Sequence, residues 1–438
     1  MQKLHPGWLT VTPSGRWCLQ SAKSSPLPSL LRRQKKTVTF VGPLMMKKLI
    51  NIVQTPVKPR WIRTKIRWVW SDNRLIIGPM IGILTAGDGV GFKGNKENFK
   101  DLFNTGKRLG ALVFVFTPKG IDWKENRIQG YLYDDKLDAW HAHVMPFPHV
   151  VYNRIPTRKL EKMAEVSKTL DKLAATPNIL LFNRRFFNKN LLFKRLEKHP
   201  EAASFLPYTK KLETYSQLRL FCSLFPFVYL KPVSGKAGKG IMRLERKNNK
   251  WFLQQVHQQN SISLRFLRLE EVWNYLKEQT KNKGYIIQQG IPLARFKGRP
   301  FDVRVLVQKD GSGKWGVTGI GIRRAGVNSI TTHVPRGGSI QSTSAVLTHV
   351  FAEQAQEIRE RIEEAALIIA HSLNEEVESL AEMSMDFGLT PQGRLWFFEA
   401  NAKPEKFDEP SIRRSSLANL IRFAQHVFTT EELLENLA

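Results

Sequence analysis

The sequence predicts α/β and α+β architecture: a small β module, then a parallel α/β unit, then a larger mixed region. Three observations predict it. Short β-type runs at 37–41, 49–53 and 66–70 fill the chain up to residue 78, with turns rich in Pro, Gly and Asn between them. An apolar run at 80–84, a Gly87-Asp88-Gly89 turn, a helical stretch at 96–109 and a second apolar run at 111–116 spell strand, loop, helix, strand. Near the end, two strand-like runs at 382–389 and 395–401 are joined by Thr390-Pro391-Gln392-Gly393, a hairpin turn.

The 438 residues, 42% hydrophobic and 24% charged, have globular composition and length enough for two or three cores. The pattern divides them into a basic β-rich module at 1–78, a Rossmann-like unit at 79–157 and a large region at 158–438. The longest apolar stretch, 218–230, is broken by Arg219, Ser223 and Pro226, so nothing approaches the roughly 20 apolar residues of a membrane-spanning helix. Cys18 and Cys222, far apart in sequence, provide neither a disulfide framework nor a cysteine metal site, which fits a reducing cytoplasm.

Charge is uneven. The chain carries 68 Lys and Arg against 38 Asp and Glu, a net +30. Residues 1–70 hold 14 of those cations and no acid. Such a field attracts polyanions and anionic substrates. The start lacks the apolar core of a secretion signal and the amphipathic Arg/Ser helix of a transit peptide, and it runs through Pro6, Pro13, Pro26 and Pro28. It reads as a basic accessory module whose first 35 residues are loose. No zinc finger, RNP-type aromatic motif or helix-turn-helix pattern accompanies the charge, which alone supports only non-specific phosphate attraction.

Further along, 149–152 adds a strand to the parallel unit. The glycines of 86–94 do not follow the G-x-G-x-x-G order of a dinucleotide loop and read as a turn at a sheet edge. His141 and His143 lack a third ligand and read as packing or surface histidines. Helical stretches follow at 159–173 and 189–199, and a long amphipathic helix is expected over 344–373, where Val346, Val350, Ile358, Ile362, Ala365 and Ile369 recur at helical spacing.

The chemistry lies in the last region. Residues 227–232 read as a strand with Phe227, Tyr229 and Lys231 on one face, leading into Ser234-Gly235-Lys236-Ala237-Gly238-Lys239-Gly240 and another strand at 241–244. The glycines let backbone approach phosphates and the lysines supply charge. The order is not that of a Walker A loop, and on this segment alone a solvated hairpin tip explains the residues equally well. Tyr285-Ile286-Ile287-Gln288-Gln289-Gly290-Ile291-Pro292 reads as a buried strand ending in a break whose backbone can meet an adenine edge. The strand at 301–307 puts Asp302 and Arg304 on one face, where they could pair with each other. In the terminal hairpin Asp386 falls opposite Glu399, with Asn401 on the same face. Opposed carboxylates repel unless a cation lies between them, and Mg2+ commonly bridges such groups to nucleotide phosphates. The apolar neighbours Met383, Met385, Phe387, Leu395, Trp396, Phe397 and Phe398 argue against two merely solvated acids.

This order of segments resembles the ATP-grasp superfamily over roughly residues 80–430. More closely, Ile77-Gly78-Pro79-Met80-Ile81-Gly82-Ile83-Leu84, Phe301-Asp302-Val303-Arg304, Arg323-Arg324-Ala325-Gly326 and Arg336-Gly337-Gly338-Ser339 look like the YheC/YheD group, associated with the bacterial endospore coat. The resemblance implies an ATP-grasp fold with a Rossmann-like preceding domain and site roles residue by residue. Lys231 and Lys189 would contact the nucleotide phosphates, with Ser234, Gly235, Lys236, Gly238 and Gly240 in the glycine-rich loop. Gln288, Gln289 and Ile291 would form the adenine hinge, where many relatives begin with Glu. Asp302 would lie near the ribose or phosphates, Arg304 and Arg323 near the transferred phosphoryl group, and Asp386, Glu399 and Asn401 would hold Mg2+.

The activity so implied is ADP-forming ligation of a carboxylate to an amine through an acyl phosphate, with ATP and Mg2+. An amino acid, a peptide or a coat-protein side chain would each serve as the acid. The resemblance further implies association with the endospore coat. Two rival classes are a non-catalytic coat protein that keeps the fold and a polyanion-binding structural protein. A non-catalytic chain would be free to lose Asp386, Glu399 or Lys231, and all are here. Every nucleotide-site candidate lies at or beyond residue 189, so the first 70 residues are expected to be dispensable for nucleotide binding.

Overall fold

The computed structural model describes residues 4–22, 36–55, 62–71, 74–233, 240–257, 260–280, 284–327, 329–332, 334 and 337–429. Among them the strands form four six-stranded sheets.

The first sheet is built wholly from the acid-free N-terminus, in the order Lys36–Val41, Met46–Ile52, Trp17–Ser21, His5–Val11, Ile62–Ser71 and Arg74–Gly78. Residues 5–21 are therefore not loose. They make two paired strands whose Leu9, Val11, Trp17 and Leu19 are essentially inaccessible to solvent, because apolar residues on one face of a strand pair bury together. The sheet curls until its ends meet: the Thr39 hydroxyl donates to the Leu75 carbonyl at 3.2 Å and accepts from the Leu75 N–H at 3.0 Å.

In the second sheet Met80–Leu84 runs parallel to Leu112–Asp122 on one side and to Val150–Asn153 on the other. The helix Lys96–Leu109 makes the crossover, capped by Asn95 at its start and ended by Gly110 at φ +104°, a backbone angle that glycine adopts without strain. The sheet also takes in Leu180–Phe182, parallel to Val150–Asn153, beyond the expected boundary at 157. Arg127–Asp134 and Ala139–Pro146 complete it as an antiparallel hairpin. Its buried side chains, those of the first sheet and Leu417, Leu420, Ile421 and Phe423 of the last helix, Pro410–Thr429, form one continuous apolar cluster.

The third sheet carries Phe227–Pro232 between Tyr285–Gln289 and Met242–Lys247. The fourth is the platform of the candidate site: Trp315–Arg324, Arg299–Lys309, Glu382–Leu389 and Leu395–Asn401, all antiparallel neighbours. Every residue of Glu382–Leu389 is buried. The long helix expected over 344–373 is broken. Thr343–Phe351 stops where Ala352 takes φ +49°, and Ala355–Glu376 starts afresh after a short 3-10 turn. The apolar spacing runs through the break because both helices pack on the same core. Likewise 159–173 divides into Arg158–Glu161 and Ala164–Ala174.

A buried polar seam joins the second sheet to the fourth. Asn183 accepts from the Ala381 N–H at 3.2 Å and donates to the carbonyls of Glu382 and Ala402. Tyr152 donates to Glu382 at 2.6 Å and Gln308 donates to its other oxygen at 2.9 Å. Burial raises the Glu382 pKa, against the opposing pull of Arg154 and these hydrogen bonds. Lys403, two residues past Asn401, makes a buried ion pair with Glu161, whose second oxygen accepts from the Phe186 N–H at 3.0 Å. Burial brings the Lys403 ammonium down to about 8, against the raising pull of Glu161, with Arg154 and Arg158 adding to the fall.

Two outcomes follow from this packing. Deletion of residues 1–70 uncovers the cluster shared with the second sheet and breaks the bond from Thr64 to the Ala111 carbonyl, so the shortened chain should lose cooperative melting in circular dichroism. The Lys403→Met chain should lose about 3–5 kcal/mol in denaturant titrations at neutral pH, since Glu161 is left buried without its cation, while a Glu161→Leu/Lys403→Met chain should recover most of it. Because the folded pKa of Lys403 lies below the unfolded lysine value of about 10.4, the unfolded chain binds more protons between those values. This group's contribution to stability therefore rises with pH from about 8 upward, and the double variant should lack that rise.

Candidate functional site

Cross-strand register gathers the charged residues of the fourth sheet. Asp302 pairs with Arg323, Arg304 with Asp386, and Asp386 with Glu399. The two-residue period puts all of them on one face, with Asn401 beside Glu399. The register slips by one between Asp386 and Phe387, a bulge just beside the Asp386–Glu399 pair.

The centre of the face is Arg323. Its Nε donates to Asp302 Oδ1 at 2.9 Å and its Nη2 to Asp302 Oδ2 at 2.7 Å, and Nη2 also lies 2.8 Å from Asp386 Oδ2. All three side chains are buried. Burial disfavours the Arg323 charge, but the Asp302 and Asp386 carboxylates outweigh it and hold the guanidinium pKa well above its ordinary value. Thr332 adds a hydroxyl donor to Asp302. Asp302 therefore pairs with Arg323 and not with Arg304, the alternative that strand alternation left open. Arg304 instead donates to Ser384 Oγ at 3.0 Å and stands 3.7 Å from Asp386 Oδ1.

Asp386 Oδ1 is buried and has no hydrogen-bond partner. A buried carboxylate oxygen without a hydrogen bond is costly, and a bound cation is one way to satisfy it beyond the ion pair with Arg304. Directly opposite stands half-buried Glu399, to which Asn401 Nδ2 donates at 3.5 Å. Two carboxylates and one amide side chain are hard oxygen donors, the kind Mg2+ takes alongside phosphate oxygens. Among the described residues no group of three or more His, Cys, Asp and Glu could hold a metal, so a cation here would need ligands from beyond the protein's own acids. Arg158 reaches the same corner: burial lowers its pKa, and the carboxylates of Glu161 and Glu399 pull the other way. Its guanidinium and the Lys403 ammonium both lie over the Phe186 ring, at 5.1 and 4.4 Å.

Lys231 comes from the third sheet. Its ammonium donates to Gln288 Oε1 at 2.6 Å and lies 5.2 Å from the ring of Phe398, the neighbour of Glu399. Gln288 is buried and donates onward to Thr209 at 2.9 Å. Its side chain thus holds Lys231 and Thr209. Gln289 binds Tyr208 through both its N–H, at 2.8 Å, and its side-chain oxygen, at 3.2 Å. A Cβ at Gly290 would meet the Phe227 carbonyl at 2.3 Å, so the strand can leave the sheet there only as glycine, and Ile291 follows buried. Gly240 takes φ +80° and its carbonyl accepts from Tyr285 OH at 3.1 Å. Ser234, Gly235, Lys236 and Gly238 lie outside the described residues, as does Arg336. Lys189 opens the helix Lys189–Leu196.

Sequence reasoning missed Thr332, Ser384, Arg158, Glu161 and Lys403. Ser384 was open to the same alternation that placed Asp386; the others reach the site from loops and a distant helix, where no periodicity points at them.

The family model described as YheC/D like ATP-grasp matches residues 178–427, a span that includes Lys231, the strand Tyr285–Gln289 and the whole charged face. The endospore coat-associated protein YheD of Bacillus subtilis (strain 168) is 34% identical over 353 residues, covering 78% of this chain and 76% of that protein. The endospore coat-associated protein YheC of the same organism is 20% identical over 306 residues, covering 69% of this chain and 84% of that protein. Among solved structures, the VanG D-Ala:D-Ser ligase from Enterococcus faecalis aligns with a TM-score of 0.48 at 12% identity, over 80% of this chain and 100% of that one. By the family match and the identity to YheD, the chain belongs to the YheC/D-like ATP-grasp family and has its fold.

Proposed function

We propose that the protein is an ATP- and Mg2+-dependent ligase that forms ADP, activates a carboxylate as an acyl phosphate and joins it to an amine, serving the endospore coat. The observation that carries this reading is the charged face: Asp386, with one oxygen pinned by Arg323 and the other buried without a hydrogen bond and 3.7 Å from Arg304, directly opposite Glu399. Membership of the ATP-grasp family supports the nucleotide, and the names of YheD and YheC support the coat.

In this reading Asp386, Glu399 and Asn401 hold Mg2+, which when bound neutralises phosphate charge as the phosphoryl group moves. Lys231 orients the nucleotide phosphates from the third sheet. Arg304 stands where a transferring phosphoryl group would gather negative charge, and Arg323, held by Asp302, keeps the Asp386 carboxylate aimed. Lys189 and the loop with Ser234, Gly235, Lys236, Gly238 and Gly240 add phosphate contacts, and Gln288, Gln289 and Ile291 border the adenine. No protein nucleophile is needed, because the substrate carboxylate attacks the γ-phosphate itself. The chain works from the cytoplasm and associates with the coat; its acid is an amino acid, a peptide or a coat-protein side chain. One observation favours the second reading, a coat protein without turnover: the Asp386 oxygen already neutralised by Arg323 is less available to a metal.

Substitution separates the two readings. Glu399→Gln should lower Mg2+-dependent ATP turnover by orders of magnitude and leave the melting temperature unchanged, since Glu399 is only half-buried. Asp386→Asn should lower turnover as far but also cost about 1–3 kcal/mol in denaturant titrations, because it takes a charged partner from buried Arg323. Turnover equal to the parent's in both variants would leave the hairpin a purely structural element. The reaction type has its own check. With coat extract as the source of acid, ATP and hydroxylamine should give a hydroxamate, with ADP and phosphate in equal amounts; AMP and pyrophosphate would indicate adenylation.

A further inference from the structure

Strand order in the second sheet reverses between Met80–Leu84 and Val150–Asn153. The first crosses over to Leu112–Asp122 on one side, and the second to Leu180–Phe182 on the other. Loops that leave two such strands part in opposite directions, and the crevice between them, outside the carboxyl ends, is where open α/β sheets take ligands. Here that edge lies against the terminal hairpin. Residues 402–404, which follow Asn401, are held by it one after another: Asn183 donates to the Ala402 carbonyl, Glu161 pairs with Lys403, and Arg154 donates to the Pro404 carbonyl at 3.0 Å.

Arg158 stands in this edge, half-buried, at the start of the turn that bears Glu161. Its guanidinium lies 5.1 Å from the centre of the Phe186 ring, which the Lys403 ammonium meets at 4.4 Å. Phe186 is itself fixed, since its N–H donates to Glu161. The neighbouring cations are engaged: Arg154 with Glu382 and Tyr152, Lys403 with Glu161, Arg304 with Asp386 and Ser384, and Arg323 with Asp302 and Asp386. Arg158 makes no hydrogen bond or ion pair to any described residue; burial lowers its pKa, and the Glu161 and Glu399 carboxylates are near enough to act against that. A guanidinium kept partly from water, its donors unused by the described protein, matches a planar anion that it can grip with two parallel bonds.

We propose, resting on the ligase reading, that Arg158 is a specificity-determining residue that grips a second carboxylate of the acid substrate, which is therefore a dicarboxylate of the acidic amino-acid class. Two considerations make it a second carboxylate and not the reacting one. A guanidinium clamped on the reacting carboxylate would draw electron density from the oxygen that must attack the γ-phosphate. Arg304, the cation placed for the transferring phosphoryl group, stands on Arg299–Lys309, two strands or about 10 Å across the sheet from Leu395–Asn401, whereas Arg158 reaches the Glu399 end.

The test uses the full chain with Mg2+, ATP and hydroxylamine, reading hydroxamate and phosphate. Both enantiomers of glutamate and aspartate are compared with acids that lack one or the other carboxylate: glutamine and 4-aminobutyrate, asparagine and β-alanine. Glutamate or aspartate should react with a kcat/KM at least about tenfold above its monocarboxylate counterparts. Arg158→Leu should raise KM for that dicarboxylate at least about tenfold and shrink the preference, with kcat and the KM for ATP held within about twofold. Arg158→Lys, which keeps the charge but not the fork, should fall between. Binding of a fluorescent ADP with Mg2+ separates this proposal from the reading beneath it. A parent chain that binds no ADP would overturn both. A parent that binds ADP yet responds to neither dicarboxylate, or treats dicarboxylates and monocarboxylates alike, would overturn the role of Arg158 alone. So would an unchanged KM for the acid in Arg158→Leu, or a loss of ADP affinity there, which would make Arg158 a nucleotide contact.

Discussion

Everything at the centre of this molecule is arranged around one guanidinium between two buried carboxylates. Arg323 joins Asp302 to Asp386 across three strands, and the three charges sit where water does not reach. Two acids and one base leave a negative charge, and Glu399 adds another within the same row. Arg304, at 3.7 Å, offsets part of it. Arg158 adds a further positive charge toward Glu399, and a buried row of ion pairs is by itself weak evidence of a device for holding the fold. In the ligase reading proposed above, the row is half of a binding site whose other half is a cation.

The surroundings follow from holding that row still. The strand that bears Asp386 is buried along its whole length, and its first residue, Glu382, is gripped from the second sheet by Tyr152 and from the fourth by Gln308. Asn183 ties the carbonyls of Glu382 and Ala402 together, which fixes both ends of the hairpin segment that carries Asp386, Glu399 and Asn401. The Lys403–Glu161 pair anchors the chain just beyond Asn401 to the helix bearing Arg158. The last helix then closes the assembly: Phe423 packs on Phe182 and Phe428 on His149, while Gln308 donates to the Ser416 carbonyl.

What could be read from the sequence was local and periodic. The two-residue period and the Gly393 turn were enough to oppose Asp386 to Glu399, because a hairpin brings its own partners together. The strand, helix, strand order was enough for the parallel unit around Met80–Leu84. The family resemblance, drawn from motif order, holds. What escaped was non-local. Alternation put Asp302 and Arg304 on one face but could not say that Arg323, from the neighbouring strand, would take the carboxylate. Gln288 was legible as a strand end, not as the partner of Lys231 on the adjacent strand. The break at Ala352 was hidden because the apolar period continues through it, and the strands at His5–Val11 and Trp17–Ser21 were hidden by the prolines around them.

The claim that the charged face is a cation site tied to a nucleotide is tested most directly by electron paramagnetic resonance of Mn2+ titrated into the full chain with and without ADP. The account predicts strong Mn2+ binding only when ADP is present, and its loss on Glu399→Gln while ADP itself still binds. Mn2+ binding that ignores ADP and is unchanged by Glu399→Gln would contradict it.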